Sequence, residues 1–238
     1  MTTPQQADQL KRQAAEAAVG YVRHGQIVGL GTGSTARHVV LALGEKVRAG
    51  LAIKGVPTST ETAELAKSQG IALLNHDEAW QIDVAIDGAD QVDPQLNLIK
   101  GGGGALLREK IVAAAARQFI VVVDASKRVP ALGGTFPLPI EVAVFGWRST
   151  ERQIQAVSDA FGYGGNVLLR EKGGQPFKTE AGHYILDLHV ARIDDPAGFE
   201  TRLNEIPGVV ETGLFVGRTD ILIAGTQQGI EVRQAERR

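Results

Sequence analysis

The residues best suited to chemistry lie in one stretch, Lys100 to Lys110, where four consecutive glycines follow a lysine and precede a helix-forming segment. Glycine runs cost backbone entropy on folding, so they occur where the chain bends sharply or where a ligand must touch bare backbone. Residues 105–117 are strong helix formers and predict a helix. Its first N–H groups point back at the glycines and favour an anion there. The predicted apolar face of this helix consists of Leu107, Ile111 and Ala115.

Glu109 is the residue of this stretch most suited to proton transfer. A helical glutamate between Arg108 and Lys110 is most often a solvated surface residue. Its position at the start of a helix that leaves a glycine loop indicates another role. There its carboxylate is suited to act as a general base, while Lys100 or backbone N–H groups stabilise the negative oxygen that the base creates. Lys127, which ends the segment Asp-Ala-Ser-Lys, completes this set of charged residues.

A second glycine motif, Gly31-Thr32-Gly33-Ser34-Thr35, follows a short apolar strand and precedes a helix. This layout aims helix N–H groups at a bound anion. A tight turn in which Ser34 or Thr35 caps the helix is an equally good interpretation. The motif lacks the lysine of a Walker loop and the third glycine of the dinucleotide fingerprint, which disfavours a dinucleotide site.

Asp87 and Asp90 bracket Gly88 and Ala89 at the end of a predicted strand. Two carboxylates at this position are suited to bind a metal, hold sugar hydroxyls or relay protons. A plain turn, in which an aspartate caps its own backbone, is the alternative. Because the five histidines are scattered along the chain, a metal site is the least favoured of these interpretations, and we expect none.

Strands alternating with helices position these loops and predict a mostly parallel sheet covered on both faces. Ligands bind beyond the carboxyl ends of the strands in such sheets, which is where the loops after Leu30, Ile86 and Val123 lie. From Gly133 the predicted order becomes β-α-β-β-α-β, which is typical of a ferredoxin-like α+β domain. The charged tail from Val232 to Arg238 is predicted to fray.

Composition narrows the classes of function. The chain has 238 residues, a net charge of −2 and no cysteine. The charge argues against a nucleic-acid or membrane surface, and the missing cysteine excludes a disulfide framework and a thiol nucleophile. The first residues carry no apolar signal core and no apolar run is long enough to span a bilayer, so we expect a cytoplasmic protein without a membrane partner.

Four motifs together resemble one family. They occur in the order and spacing of ribose-5-phosphate isomerase type A, and the resemblance covers nearly the whole chain. The motifs are Gly29–Thr35, Asp87–Asp90, Lys100–Lys110 and Asp124–Lys127. The resemblance implies a cofactor-free interconversion of ribose 5-phosphate and ribulose 5-phosphate in the pentose phosphate pathway, by a homodimer or homotetramer.

The implied fold is a Rossmann-like parallel-sheet domain with an inserted α/β domain. Combined with the strand order above, it predicts a Rossmann-like catalytic domain of residues 1–132 and 215–238 and a ferredoxin-like domain of residues 133–214. Two segments depart from the family pattern. Gln91 stands where many members have glutamate, and Glu180-Ala181-Gly182 replaces a common Asp-Asn-Gly turn.

The resemblance also assigns roles to residues. Glu109 corresponds to the proton-transfer base, with Asp87 and Lys100 as its catalytic partners. The implied substrate-binding residues are Thr32, Gly33, Ser34, Thr35, Asp87, Gly88, Ala89, Asp90, Lys100, Gly101, Gly102, Gly103, Lys127 and Lys11. A non-catalytic sugar-phosphate sensor on a related fold is the alternative function. Such sensors usually carry a DNA-binding helix-turn-helix segment, and none is evident here.

Overall fold

The computed structural model describes residues 3–236. Its helices are α1 Pro4–Val19, α2 Ser34–Arg48, α3 Thr60–Ser68, α4 Leu106–Ala115, α5 Trp147–Ala160 and α6 Pro196–Asn204. A 3₁₀ turn covers Ala125–Lys127. Its strands are β1 Ile27–Leu30, β2 Lys54–Pro57, β3 Ala72–Leu73, β4 Val84–Asp87, β5 Gln91–Val92, β6 Leu98–Ile99, β7 Phe119–Asp124, β8 Leu138–Val142, β9 Asn166–Leu169, β10 Glu171–Lys172, β11 Gln175–Pro176, β12 Tyr184–His189, β13 Val209–Thr212, β14 Leu214–Phe215, β15 Ile221–Thr226 and β16 Gly229–Gln234.

The chain forms two compact units. The first consists of the described residues up to Ala89, of Arg108–Lys127 and of those from Arg218 onward. The second consists of Asp90–Leu107 and Arg128–Gly217. The inserted domain of residues 133–214 stays a prediction, and the units differ from it chiefly because residues 90–107 belong to the second unit.

The first unit is built on a seven-stranded sheet with the order β16-β15-β7-β4-β1-β2-β3. All its neighbouring strands are parallel except β15 and β16. Without β16 this is the doubly wound order, whose winding reverses between β1 and β4. Leu30 at the end of β1 lies opposite Ile86 on β4. The loops after β1, β4 and β7 therefore leave the sheet at one edge, as predicted.

Helices cover both faces of this sheet, and alternation along β1 explains how. Val28 and Leu30 belong to the core that includes residues of α1 and α2. Gly29 points to the opposite face, because successive strand residues alternate. A side chain at Gly29 would lie 2.5 Å from Val112 of α4, so the missing Cβ is what lets α4 pack this closely on the strand.

Local signals in the sequence account for two helix starts. Ser59 is the N-cap of α3, and its hydroxyl accepts the Thr62 N–H at 3.2 Å. Asp195 is the N-cap of α6 and its carboxylate accepts the Gly198 N–H at 3.0 Å. Each cap satisfies a backbone donor that the first helical turn leaves unpaired.

The second unit contains the predicted ferredoxin-like arrangement. Its four-stranded sheet has the order β13-β8-β12-β9, and every neighbouring pair is antiparallel. Helix α5 connects β8 to β9 and α6 connects β12 to β13, which reproduces the β-α-β-β-α-β order. The core of this unit combines residues of both helices with the inner face of the sheet, among them Leu138, Ile140, Ile154, Leu186, Phe199 and Leu203.

Two small sheets, missed by sequence reasoning, complete the second unit. One has the order β14-β6-β5 and the other pairs β10 with β11. Gln91 on β5 donates to the Gly133 carbonyl at 2.7 Å and accepts the Gly133 N–H at 2.8 Å. An ionised glutamate could only accept at this position, so the departure from the family pattern has a local structural use.

The predicted fraying of the tail is wrong for residues 232–234, which belong to β16, and residues 237–238 lie outside the described part of the chain. Residues from Gly229 onward form β16, which pairs in register with all six residues of β15. The residues of β16 are all exposed, although Ile230 and Val232 alternate with Glu231 and Arg233. The backbone ladder, which sequence patterns do not report, holds it in place.

Candidate functional site

The loop between β1 and α2 presents open backbone rather than a capped turn. Gly33 is the N-cap of α2, with a φ of 95° and no side-chain hydrogen bond. Ser34 and Thr35 are the first residues of the helix itself, so the interpretation that one of them is the N-cap is wrong. The N–H groups of this first turn remain oriented for an anion, and the Ser34 hydroxyl is available for another contact.

Asp87 is the last residue of β4, and its carboxylate also holds the loop after β1 in place. Its side chain is buried, and its Oδ1 accepts the N–H of Thr32 at 3.1 Å and of Gly88 at 2.7 Å. The bond to Gly88 alone would fit a simple turn. The bond to Thr32, 55 residues away, ties the ends of β1 and β4 together. A Cβ on Gly31 would lie 2.0 Å from Asp87 Oδ1, so only glycine allows this approach.

Lys11 joins the same group of residues in the first unit. Its Nζ donates to Ser34 Oγ at 3.2 Å and lies 3.9 Å from Asp124 Oδ2. Asp124, at the end of β7, also accepts hydrogen bonds from the backbone and hydroxyl of Ser126. Lys127, half-buried, follows in the same 3₁₀ turn. Sequence reasoning did not assign Asp124 a role, although the quoted Asp-Ala-Ser-Lys motif contains it.

Thr58 and Thr62 are further contacts of the first loop that sequence reasoning missed. The Thr58 hydroxyl lies 2.7 Å from that of Thr32. The Thr62 hydroxyl donates to the Gly31 carbonyl at 2.8 Å. Thr58 directly follows β2 and Thr62 lies four residues further on, and the run of hydroxyl residues at this strand end was the signal available in the sequence.

Glu109 lies in the first turn of α4 and its side chain is only 6% exposed, so the solvated reading of this residue is wrong. The predicted apolar face of α4 is also wrong, because Ile111 is 49% exposed. The buried face instead carries Leu106, Glu109, Lys110, Val112 and Ala113. A helix advances 100° per residue, so this rotation turns the glutamate from the surface into the protein.

The second unit holds Asp90 and the glycine loop. Asp90 Oδ2 accepts the Gly102 N–H at 2.8 Å. A Cβ on Gly102 would lie 2.9 Å from Asp90 Oδ1, which explains the glycine there. Lys100 is 3% exposed, its N–H donates to the Gly213 carbonyl at 2.9 Å, and its Nζ lies 5.6 Å from the centre of the Phe215 ring. Gly103 is exposed at the tip of the loop.

The structure thus brings several predicted residues together within each unit. In the first unit Thr32 meets Asp87, Ser34 meets Lys11, and a Cβ on Gly88 would lie 3.4 Å from Thr35 Cβ. In the second unit Asp90 meets Gly102. Ala89 ends one unit and Asp90 begins the other, so the Asp-Gly-Ala-Asp motif is shared between them along the chain.

Neither a metal-binding cluster nor a membrane-spanning helix occurs among residues 3–236. No three of the His, Asp and Glu side chains in this range gather into a group that could hold a metal ion. Every helix in the same range is too short or too polar to cross a bilayer. The expectation that no metal takes part stays a prediction.

A family model for Ribose 5-phosphate isomerase A (phosphoriboisomerase A) matches residues 54–229 of this chain. A protein of Parvibaculum lavamentivorans named Ribose-5-phosphate isomerase A is 51% identical over 230 residues, which are 96% of this chain and 99% of that protein. A protein of Jannaschia sp. with the same name is 50% identical over 229 residues, covering 95% of this chain and 87% of its own.

Solved structures agree with these relatives. Ribose 5-phosphate isomerase from Plasmodium falciparum superposes with a TM-score of 0.91 at 34% identity, covering 97% of this chain and 100% of that one. Ribose 5 phosphate isomerase A from Neisseria gonorrhoeae gives 0.88 at 40% identity, with complete coverage of both chains. A D-ribose-5-phosphate isomerase in complex with phospho-erythronic acid gives 0.89 at 40% identity, covering 96% and 99%.

Proposed function

Because this chain belongs to the ribose-5-phosphate isomerase A family, it interconverts ribose 5-phosphate and ribulose 5-phosphate, and we propose how its residues divide that reaction. The aldose becomes the ketose when a proton leaves C2 and returns at C1, while the O2 hydroxyl proton passes to O1. The intermediate is an enediolate. The reaction therefore needs a base near both carbons and groups that stabilise the oxyanion.

Glu109 is the base in this proposal. The observation that carries it is a glutamate with only 6% of its side chain exposed, in the first turn of a helix that begins after a glycine loop. A carboxylate held in one place can remove the C2 proton and return the same proton to C1. Burial also keeps bulk water away from the carbanion-like carbon, which limits loss of the proton to solvent.

Lys100 and the N–H groups of the glycine loop stabilise the oxyanion. The Lys100 side chain is 3% exposed and lies along the Phe215 ring, which restricts where its charge can be placed. A positive charge with little solvent around it interacts strongly with an oxygen that becomes negative. The exposed backbone of Gly102 and Gly103 offers close approach because neither residue has a side chain.

Asp87 and Asp90 orient the sugar hydroxyls, and Asp87 assists the opening of the sugar ring. Two backbone N–H groups hold Asp87 Oδ1, so the direction of its second oxygen is set in advance. Asp90 is held in the same way by the Gly102 N–H. Preorganised acceptors of this kind lose little freedom when a substrate hydroxyl binds.

In this proposal the loop of Gly31–Thr35, together with Lys11 and Lys127, binds the phosphate group of the substrate. Open N–H groups at the start of α2 favour an anion, and Lys11 already contacts Ser34 Oγ at 3.2 Å. Lys11 also lies 3.9 Å from Asp124 Oδ2, which places its charge beside the same loop. The glycine loop after Lys100 is then left to the reacting carbons.

The variant Glu109→Gln tests the assignment of the base. It keeps the shape of the side chain but cannot accept the proton, so kcat falls by about 10²–10⁴-fold with KM little changed. Steady-state conversion of ribose 5-phosphate measures both constants. Glu64→Gln, an exposed glutamate on α3, is the matched control and retains wild-type kcat. Wild-type turnover by Glu109→Gln would remove Glu109 from the mechanism.

Two broader properties are also proposed. The enzyme is a homodimer or homotetramer, as the resemblance to its family implies, and light scattering should give two or four times the mass of one chain. A single chain mass at assay concentration would contradict this. It works in the cytoplasm, for which the absence of cysteine is suitable. Fractionation of cells should recover the protein and its activity in the cytoplasmic fraction.

A further inference from the structure

One arginine holds the carbonyl groups of the glycine loop. Arg170 Nη1 donates to the Gly101 carbonyl at 2.7 Å and to the Gly102 carbonyl at 3.2 Å. Its own backbone is fixed, because its N–H donates to the Ile185 carbonyl and its carbonyl accepts the Phe177 N–H, both at 2.8 Å. The side chain is 14% exposed. The Arg170 side chain is therefore held in place more firmly than that of a solvent-exposed arginine.

Asp187 on β12 orients that arginine. The Arg170 Nε donates to Asp187 Oδ2 at 2.8 Å and its Nη2 donates to Oδ1 at 2.5 Å. This bidentate pair fixes the plane of the guanidinium, which is the property that distinguishes arginine from lysine. Nη1, which the carboxylate does not engage, is then the atom that donates to the loop.

The direction of the loop carbonyls determines the direction of the loop N–H groups. In a trans peptide the carbonyl and the following N–H point opposite ways. Drawing the Gly101 carbonyl to Arg170 therefore turns the Gly102 N–H away, and that N–H meets Asp90 Oδ2 at 2.8 Å. Drawing the Gly102 carbonyl to Arg170 turns the Gly103 N–H away as well. Gly103 is exposed, and within residues 3–236 its N–H has no protein partner.

The hairpin formed by β10 and β11, which Arg170 directly precedes, also packs against the end of the glycine loop. A Cβ on Gly104 would lie 2.5 Å from the Phe177 ring, so that ring rests directly on the Gly104 backbone. Gly104 also has a φ of 83°, which favours glycine. Arg170 and Phe177 flank β10 and β11, so one hairpin controls both the polarity and the position of the loop.

We propose that Arg170, oriented by Asp187, is a positioning residue that aims the Gly103 N–H at the oxyanion of the enediolate. This inference rests on the proposed function, in which the glycine loop serves the reacting carbons. The enediolate oxygen carries more negative charge than the ground-state carbonyl, so a well-aimed N–H stabilises the transition state more than the substrate. Loss of the aim therefore lowers kcat and leaves KM nearly unchanged.

The main test is Arg170→Met, which keeps an unbranched stem but donates no hydrogen bond. Removing one oxyanion donor typically costs about 10²–10³-fold in kcat, and a displaced donor costs less, so we expect about a 10–100-fold fall. KM for ribose 5-phosphate should change less than about threefold, since the phosphate contacts are intact. Arg170→Lys, with one charge but no fork, should recover part of the lost kcat.

The control is Lys172→Met, which removes a cation from the same hairpin at an exposed position and should keep wild-type kcat. Asp187→Asn is the second variant, because it preserves shape and folds even if Arg170→Met does not. It frees the guanidinium plane and should lower kcat about 3–10-fold. Thermal unfolding of every variant gives the folded fraction by which kcat is corrected.

A second readout separates positioning from structural support. Phospho-erythronic acid carries a carboxylate near the position of the enediolate oxygens, so its inhibition constant should rise with Arg170→Met in proportion to the fall in kcat. If Arg170→Met and Asp187→Asn lower only the melting temperature, with kcat and inhibition per folded enzyme unchanged, the proposal is overturned. That result would not affect the assignment of Glu109 as the base. Conversely, if Glu109→Gln kept full activity, the kcat of Arg170→Met would still show whether Arg170 contributes.

Discussion

A missing side chain at position 31 is what allows Asp87 to organise the loop after β1. The Asp87 carboxylate lies where a Gly31 Cβ would be, and from there it accepts the Thr32 N–H. A sequence-based argument treats glycines in such motifs as sites of backbone freedom or close approach to a ligand. Here the close approach is to an aspartate of the protein. The glycine therefore matters for placing the carboxylate as well as for leaving room for a substrate.

We predict that Gly31→Ala lowers both the free energy of unfolding and kcat/KM. The new Cβ would lie 2.0 Å from Asp87 Oδ1 and 2.6 Å from Asp87 Cβ, so rotation of the carboxylate alone cannot relieve the overlap. Overpacking of this kind costs about 1–3 kcal/mol of unfolding free energy. Urea unfolding measures that loss, and kcat/KM for ribose 5-phosphate should fall at least about tenfold because Asp87 is displaced.

The control for this substitution is Gly20→Ala at the end of α1. Gly20 has a φ of −61°, which alanine adopts, and its Cβ would lie 3.0 Å from the Ala17 carbonyl oxygen, a much milder approach than the 2.0 Å at Gly31. Gly20 also lies outside the site. Its unfolding free energy should stay within about 0.5 kcal/mol of wild type. Equal effects of the two substitutions on kcat/KM would show that the Gly31–Asp87 approach has no special role.

The packing of helix α1 on the sheet depends on a second close approach, which here is between the backbones of α1 and β15. A Cβ on Gly225 of β15 would lie 2.2 Å from the Leu10 carbonyl of α1. Because the carbonyl is part of the helix backbone, only a shift of the whole helix could relieve the contact. Lys11, the next residue, would move with it and lose its contact with Ser34. The packing of α1 on the sheet thus determines the position of a proposed phosphate ligand.

We predict that Gly225→Ala raises KM more than it lowers kcat. Overpacking should reduce the unfolding free energy by about 1–3 kcal/mol, measured in urea. The displaced Lys11 should raise KM for ribose 5-phosphate about threefold or more, since a charge-assisted hydrogen bond contributes about 1.5–3 kcal/mol. A loss of kcat with unchanged KM would contradict the assignment of Lys11 to the phosphate.

An ion pair between α1 and α2 predicts a dependence of stability on pH. The hydrogen bond from the His38 ring, at 2.9 Å, lowers the pKa of the Asp8 carboxyl, and the charges of His38 and Lys11 act in the same direction. A carboxyl with a lowered pKa in the folded state stabilises the fold above its unfolded pKa of about 3.9. That contribution disappears as the pH falls through the folded-state pKa.

Asp8→Asn should therefore lower the melting temperature slightly at about pH 5 and not at about pH 2. The effect is small because the Asp8 side chain is 63% exposed and solvent screens the pair. Melting curves across this range measure the difference. In a His38→Phe background the same substitution should have a smaller pH-dependent effect, because only the charge of Lys11 then lowers the pKa of Asp8. An undiminished effect there would assign the dependence to groups other than His38.

For the enzyme as a whole, the proposed chemistry requires only protein groups. Lys100 and backbone N–H groups supply the positive charge that a metal ion would otherwise bring to an enediolate. We predict that dialysis against EDTA leaves kcat unchanged, measured directly as ribulose 5-phosphate formation. A loss of activity that Mg²⁺ or Mn²⁺ restores would replace Lys100 as the main stabiliser of the oxyanion. The same assay distinguishes an enzyme from a sugar-phosphate sensor, which would form no product.

Most of the fold follows from patterns along the chain. Alternating strands and helices predicted the parallel sheet, and turns after Leu30, Ile86 and Val123 predicted a common edge. The change of pattern near Gly133 predicted the ferredoxin-like domain. These predictions succeed because apolar periodicity reports burial directly. Strand β16 and the small sheets escaped notice because they are short or fully exposed, and main-chain hydrogen bonds hold them.

The candidate residues were predicted from the sequence, some because charged groups stand beside glycine loops and others, such as Lys11, from the family resemblance. Their arrangement in space was not predicted from the sequence. Whether Glu109 faces solvent or the interior depends on the rotation of α4, and Leu107 and Ile111 suggested the wrong face. That rotation is decided by what packs on each side of the helix, which local propensity does not encode.

The glycine loop shows the same division between chain and fold. The four glycines after Lys100 predict a segment that bends sharply or lets a ligand touch bare backbone before a helix, and that ligand contact stays a prediction. The direction of its peptide groups depends on the fold, because Arg170, about 70 residues further along the chain, reaches the loop from beside β10 and is oriented by Asp187 of β12. A peptide's direction depends on its hydrogen-bond partners, and distant strands supply those partners here.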